Sequence, residues 1–153
     1  AEQTENSQQP KDEIRQNEAT WLEPSEEMSE IYQVVSNAFR YANDTKFQFA
    51  IDFVERLQHL SYDCDHFFDW HVDTEIKYAD HQPIRKISAS ILLNDEYEGG
   101  EFKFASNQLS FEVGKIKRNS AVFFPSFMPH TVTPITKGNR QSLIAWARGP
   151  QFV

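Results

Sequence analysis

His71-Val72-Asp73 closes an aromatic stretch, Phe67-Phe68-Asp69-Trp70, and is the first place in the chain where side chains could do chemistry together. In a strand, residues i and i+2 share a face, so the imidazole and the carboxylate would aim together while Val72 faces away. Such a nitrogen and oxygen are two of the three ligands of a facial metal triad, although a lone His-x-Asp also arises by chance in an acidic chain. A third candidate is His130, which comes straight after the apolar run Ala121-Val122-Phe123-Phe124-Pro125 and the segment Ser126-Phe127-Met128-Pro129. An imidazole among Phe, Met and Pro costs free energy unless its nitrogens are engaged, by a metal or by a backbone carbonyl. Arg140 follows ten residues on, after Lys137-Gly138-Asn139, a turn that would set His130 and Arg140 on neighbouring strands. Period two then puts Ser142, Ile144 and Trp146 on the face of the guanidinium. A guanidinium turned into an apolar barrel calls for a carboxylate, best in bidentate geometry. No internal partner stands at matching spacing, so a bound dicarboxylate is the attractive candidate; a solvated arginine at the strand mouth is the plain one.

The elements that must carry these residues read as one helix followed by many strands. From Pro24, Met28, Ile31, Val35 and Ala38 recur at intervals of three and four, widened by Tyr32 and Phe39. Ser25 is the expected N-cap, and Asn43-Asp44 the end. The period then changes to two: Phe47, Phe49, Ile51 and Phe53 alternate with Gln48, Ala50 and Asp52, which predicts a half-buried strand. Further strands are expected at Leu57–Tyr62, Phe67–Val72, Lys86–Leu93, Glu101–Phe104, Leu109–Phe111, Ala121–Phe124, His130–Ile135 and Gln141–Ala147. Turn clusters at Asn94-Asp95, Gly99-Gly100, Lys115–Asn119 and Lys137-Gly138-Asn139 separate them. One helix and many short strands predict a sandwich or barrel, not a βαβ fold.

Composition bounds the rest. The 153 residues favour one domain, at 13–153, behind a polar and flexible tail at 1–12 that lacks the apolar surface to offset its ordering. With a single cysteine, Cys64, no intrachain bridge can form, so a reducing, cytoplasmic setting is the expectation, and Cys64 reads as an ordinary loop thiol. No apolar run reaches the length of a membrane span. A net charge of −8 counts against a general nucleic-acid surface. Thirteen Phe against five Gly predict a β-rich core of bulky side chains. His59, His66 and His81 have no paired ligand spacing and read as surface or supporting groups.

Taken in order, these segments resemble the iron(II)- and 2-oxoglutarate-dependent dioxygenases, in particular their prolyl 4-hydroxylase-like branch that includes the PKHD-type hydroxylases. The resemblance rests on Tyr62-Asp63-Cys64-Asp65-His66-Phe67-Phe68-Asp69-Trp70-His71-Val72-Asp73, on Arg85 through Asn94, and on Tyr97-Glu98-Gly99-Gly100-Glu101-Phe102. It continues in Phe124-Pro125-Ser126 through His130 to Gly138-Asn139-Arg140-Gln141-Ser142-Leu143, with Ile14-Arg15 to Trp21-Leu22 as an early strand. It implies a mostly-β double-stranded β-helix, or jelly roll, with one or more N-terminal helices packed on its major sheet. It also implies that His71, Asp73 and His130 hold Fe(II), and that Arg140 pairs with the distal carboxylate of the cosubstrate 2-oxoglutarate. Tyr62 matches a tyrosine lining the cosubstrate, Trp146 a tryptophan flanking the metal pocket, and Ser142 is a further candidate for the cosubstrate carboxylate. Relatives usually carry Gly where Asp65 and Asn119 stand, and both residues tolerate left-handed backbone. Their opening helix and strand have no counterpart ahead of Ile14.

The implied reaction couples decarboxylation of 2-oxoglutarate to succinate and carbon dioxide with C–H hydroxylation by O2, ascorbate being an optional accessory. The strands at 87–93 and 121–124 would wall off water, and the loop Thr74–Arg85, with Glu75, Lys77, Tyr78 and His81, is expected to be mobile and to meet substrate. A peptide or protein substrate with a hydroxylatable proline is the leading expectation; a free amino acid, another small molecule or an alkylated nucleobase remain alternatives. A non-catalytic metal-binding jelly roll is a different class, weakened by the intact His/Asp/His/Arg set. A cupin would show His-x-His, and a zinc hydrolase H-E-x-x-H; the chain has neither.

Overall fold

Arg15–Gln16 (β1) and Glu18–Leu22 (β2) open the order of elements in the computed structural model, which describes residues 14–74, 81–106, 109–114 and 116–152, with only the backbone of 109–112. The helix α1 (Ser29–Ala42) follows, then a π-helical turn at Asn43–Phe47. Next come β3 (Phe53–Val54), β4 (Leu57–Tyr62), β5 (Phe67–His71), β6 (Ile84–Leu92), β7 (Tyr97–Gly99) and β8 (Phe102–Ser106). The chain continues with β9 (Leu109–Glu112), β10 (Ala121–Pro125), β11 (His130–Val132), β12 (Ile135–Gly138) and β13 (Arg140–Gly149). The expected polar tail and residues 75–80 of the 74–85 loop, with Glu75, Lys77 and Tyr78, lie outside the described residues; His81, within that loop, is exposed.

Two sheets face each other as a jelly roll. One has the order β1-β5-β11-β8-β9; the other runs β10-β6-β13-β4-β2, with β3 added on β13, and β12-β7 form a separate ribbon. All described pairings are antiparallel. The expected early strand is two strands: the chain leaves one sheet after Gln16, passes Asn17 and joins the other at Glu18. Period two sorts the larger sheet. Leu57, Ile87, Ala89, Ala145 and Ala147 face α1, where Val35 and Phe39 cover them and Phe39 meets Phe123 edge-on at 5.2 Å. Burying Phe39 alone stabilises the fold by about 2–3 kcal/mol. The opposite face, with Leu60 and Tyr62, meets Phe102, Phe104, Phe124, Val132 and Ile135 between the sheets.

Three expectations are corrected. The helix starts at Ser29, with Met28 and not Ser25 at the N-cap position, because residues after Pro24 make hydrogen-bonded turns first, with Ser25 Oγ accepting from Met28 N at 3.2 Å. Its buried stripe is Val35, Phe39 and Ala42, which leaves Ile31 exposed. The strand expected over Phe47–Phe53 is only Phe53–Val54: Phe47 closes the π-helical turn and Gln48 adopts a left-handed φ of 56°. Phe47, Phe49 and Ile51 still pack on the core, so the alternation marks burial without a ladder. His130–Ile135 and the expected 137–139 turn become β11 and β12, split at Thr133-Pro134. β11 and β13 therefore belong to different sheets, and His130 and Arg140 are not on neighbouring strands.

Candidate metal centre

His71 ends β5 and is the direct antiparallel partner of His130, which begins β11. Residues opposite one another in a ladder share a face, so residues 59 positions apart in sequence present their imidazoles together, with ring centroids 4.1 Å apart. Asp73, two residues past His71, follows the same alternation, and its backbone N–H is held by Ser126 O at 2.8 Å. One ligand atom from each of the three lies within 4.8 Å of the others. Asp73 Oδ1 is 3.5 Å from His71 Nε2 and 3.6 Å from His130 Nε2. Adjacent ligands about 2.1 Å from one ion at right angles stand about 3 Å apart, so both Asp73–imidazole separations are within about half an ångström of that spacing.

The protonation pattern suits a cation. His71 Nδ1 lies 2.6 Å from Asp69 O and His130 Nδ1 2.9 Å from Met128 O. A carbonyl can only accept, so both Nδ1 atoms carry the proton and both Nε2 lone pairs face the site. Burial lowers the His130 pKa and keeps the imidazole neutral; the Asp73 charge and the Met128 hydrogen bond oppose this only in part. Burial alone would raise the Asp73 carboxyl, but the flanking His71 and His130 imidazoles and the hydrogen bonds donated by Ser88 and Trp146 hold it at about 2. Phe68 stacks on His71 at 3.5 Å, and Phe124 meets His130 edge-on at 4.6 Å.

Asp73 Oδ2 faces the other sheet. Ser88 Oγ on β6 donates to it at 2.6 Å and Trp146 Nε1 on β13 at 3.0 Å, while Ser88 also bonds the Ser126 hydroxyl at 2.8 Å. Arg85 lies flat on the Trp146 ring, its Cζ 3.6 Å from the centroid, and pairs with Glu55, which also takes Arg148. Glu55 N donates to Trp146 O at 2.9 Å, so one residue braces both the Trp146 backbone and the guanidinium stacked on its ring.

The same cavity, of about 240 Å³, ends at Arg140. Its guanidinium is 1% exposed, donates from Nη1 to Ser142 Oγ at 3.1 Å, and sits 5.5 Å from the Tyr62 ring centroid. Arg140 makes no ion pair among the described residues, and its Nε has no hydrogen-bond partner. Tyr62 is the ladder partner of Arg140; burial raises its pKa and the Arg140 charge works against that rise. Two neutral imidazoles and one carboxylate facing a common point form a donor set suited to a divalent transition metal. A buried, unpaired guanidinium in the same cavity suits a carboxylate.

A family model, the 2OG-Fe(II) oxygenase superfamily, matches residues 57–148. The chain belongs to the 2OG-Fe(II) oxygenase superfamily. Iron(II) and 2-oxoglutarate are this superfamily's cofactor and cosubstrate, and the matched segment contains all seven residues singled out from the sequence. A PKHD-type hydroxylase of Saccharophagus degradans is 36% identical over 84 residues, 52% of this chain and 37% of that protein. One from Xylella fastidiosa is 33% identical over 96 residues, 57% of this chain and 41% of that protein. The matches thus span well under half the length of these relatives. In fold, a Pseudomonas putida prolyl-4-hydroxylase superposes with TM-score 0.72 at 22% identity, covering 92% of this chain and 76% of that one. A Trichoplax adhaerens prolyl hydroxylase, solved with a peptide fragment of a hypoxia inducible factor, superposes with TM-score 0.69 at 16% identity, covering 88% and 63%.

Among the residues expected at the site, His71, Asp73, His130, Tyr62, Arg140 and Trp146 line this one cavity, and Ser142 bonds Arg140 beside it. His66 stays outside the cluster, its Nδ1 accepting from Asp63 N, and Cys64 is exposed. Sequence reasoning missed Ser88, Ser126, Glu55 and the stacked Arg85. The wall expected to be apolar over 87–93 in fact turns Ser88 and Ser90 inward. Two serines at i and i+2 in an apolar strand were the available signal.

Proposed function

We propose that this chain carries the catalytic core of an Fe(II)- and 2-oxoglutarate-dependent hydroxylase acting on a peptidyl proline. The observation that carries the reading is the convergence of two metal-ready imidazoles and an ionised carboxylate with a buried, carboxylate-free arginine in one cavity. His71, Asp73 and His130 would hold the iron, and Arg140, with Tyr62 and Ser142 beside it, would receive the distal carboxylate of 2-oxoglutarate. Bound iron and keto acid supply oxygen activation, coupled to formation of succinate and carbon dioxide and to hydroxylation of a substrate C–H bond.

The chain's own part is positioning. Backbone carbonyls of Asp69 and Met128 fix both imidazoles with Nε2 toward the metal position. Ser88 and Trp146 occupy Asp73 Oδ2 and leave Oδ1 as the oxygen that would hold the ion. Phe68, Phe102, Phe124 and Val132 line the cavity and keep water from the reacting atoms. At the mouth, Trp21 stands 6.0 Å from Trp146 and is 40% exposed, a pair of aromatic faces suited to a pyrrolidine ring. The prolyl hydroxylase neighbours in fold, one of them solved with a peptide, support the peptidyl choice.

The test is anaerobic titration with iron(II) and 2-oxoglutarate, watched for the visible charge-transfer band, followed by succinate release with proline-containing peptides. Asp73→Ala should abolish the band, and Arg140→Ala should weaken 2-oxoglutarate binding by at least about tenfold, as expected on losing a hydrogen-bonded charge pair. An unchanged band in the first variant or unchanged affinity in the second would remove the assignment. Turnover with a free amino acid and none with peptides would move the substrate to the small-molecule class.

A further inference from the structure

The cavity holds a polar group that none of the roles above uses. Ser90, on β6, is 2% exposed and borders the cavity, yet its hydroxyl has no hydrogen-bond partner among the described residues. Burying a hydroxyl without a partner is unfavourable, and such orphans are uncommon enough in native structures to call for an explanation. Two more residues lining the cavity have an unpartnered atom, Arg85 Nε and Arg140 Nε; Arg85 stacks on Trp146, which leaves Ser90 and Arg140 to be related. Sheet register says how the two relate. Along the β6–β13 ladder, Ser88 pairs with Trp146, Ser90 with Ile144, and Leu92 with Ser142. The first pair grips Asp73 and the last holds Ser142, the partner of Arg140. Ser90 therefore stands on the same inward face, one step from each end, between the metal ligand and the guanidinium.

We propose that Ser90 is a further cosubstrate-binding residue, whose hydroxyl donates to the carboxylate that Arg140 receives. The inference rests on the reading of this cavity as a 2-oxoglutarate site. Between its two ends a five-carbon keto diacid has only methylenes, which accept no hydrogen bond, so a donor in this stretch must serve one end. The metal end already has its carboxylate donors spent on Asp73. At the other end the guanidinium supplies a planar fork, and an ionised carboxylate has about four acceptor sites, more than one fork fills. A hydroxyl beside it satisfies a further lone pair, and the carboxylate then gives both Ser90 and Arg140 Nε a partner.

The test compares the parent chain with Ser90→Ala by calorimetric titration of the Mn(II)-loaded protein under argon. The ligands are 2-oxoglutarate and 2-oxopentanoate, which keeps the keto-acid end and lacks the distal carboxylate. The expected result is an increase of about tenfold in the Kd for 2-oxoglutarate, the size of a hydrogen bond to a charged group. The Kd values for 2-oxopentanoate and for Mn(II) should stay within about twofold, a split that a merely structural hydroxyl would not produce. Without ligand, Ser90→Ala should melt no lower than the parent, since it removes an unsatisfied group. An unchanged 2-oxoglutarate Kd, as a hydroxyl serving only an ordered water would give, overturns the proposal. So does equal weakening of both acids, which would move the bond to the keto-acid end. A parent that binds Mn(II) but neither acid overturns the functional reading itself, and this inference with it.

Discussion

The two oxygens of Asp73 are held in different ways, and the difference is set from the opposite sheet. Oδ1 faces two imidazole nitrogens, while Oδ2 accepts from Ser88 and from the Trp146 indole. Trp146→Phe keeps a smaller aromatic ring for Arg85 and Trp21 to pack on and removes the N–H. Metal affinity should then fall by about tenfold to a hundredfold, the usual effect of losing a ligand's outer hydrogen bond, as read by Mn(II) titration. Ser88→Ala should act in the same direction. Two residues show what the sequence could and could not tell. The inward aim of Asp73 was legible because strand alternation couples it to His71. Its partners were not, because Ser88 and Trp146 reach it only through a ladder register joining segments 58 residues apart.

Among the elements, the turns carry the strain. Asp65 and Asn119 sit at φ of 67° and 61°, the left-handed conformation expected where relatives place Gly. Asp65→Ala should cost about 1 kcal/mol in urea unfolding and Asp65→Gly little, because only a residue without Cβ, or with a short polar side chain, accepts that backbone readily. Gly99 is a harder constraint: at φ 75°, an added Cβ would come within 2.3 Å of Pro134 O and 2.9 Å of Thr136 N. Both contacts are backbone, so Gly99→Ala should destabilise by well over the roughly 1 kcal/mol of the Asp65 change, and should open the β7–β12 ribbon. The misread elements have physical reasons as well. Alternation over Phe47–Ile51 reports which side chains are covered, and a segment can be covered on alternate sides without pairing. The expected His130–Arg140 hairpin failed at Thr133-Pro134, where the chain leaves one sheet for the ribbon with β7. The helix was legible in its period, but the stripe it buries depends on which face the sheet's Leu57, Ile87 and Ala147 take.

At the scale of the molecule, Asp73 is a stitch between sheets: its own chain leaves β5, and its Oδ2 is tied to β6 and β13. Ion binding should therefore stabilise the whole fold. At Mn(II) a hundred times above its Kd the gain is about 2.7 kcal/mol, and for a chain of this size the melting temperature should rise by about 5–10 °C. Asp73→Ala should abolish that rise; a shift that survives it would place the ion elsewhere. The ten residues of β13 add a consequence of another kind. Arg140 and Trp146 lie on one unbroken strand, so the gap between the anion clamp and the indole that holds Asp73 is set by peptide pitch, about 3.4 Å per residue, and not by any loop. β13 is thus a molecular ruler for the length of a diacid. Inserting one residue between Ser142 and Trp146 would invert the parity of the strand and turn the guanidinium to the helix side. Mn(II) would still bind at the two histidines and Asp73, but the calibrated pairing with 2-oxoglutarate would be gone.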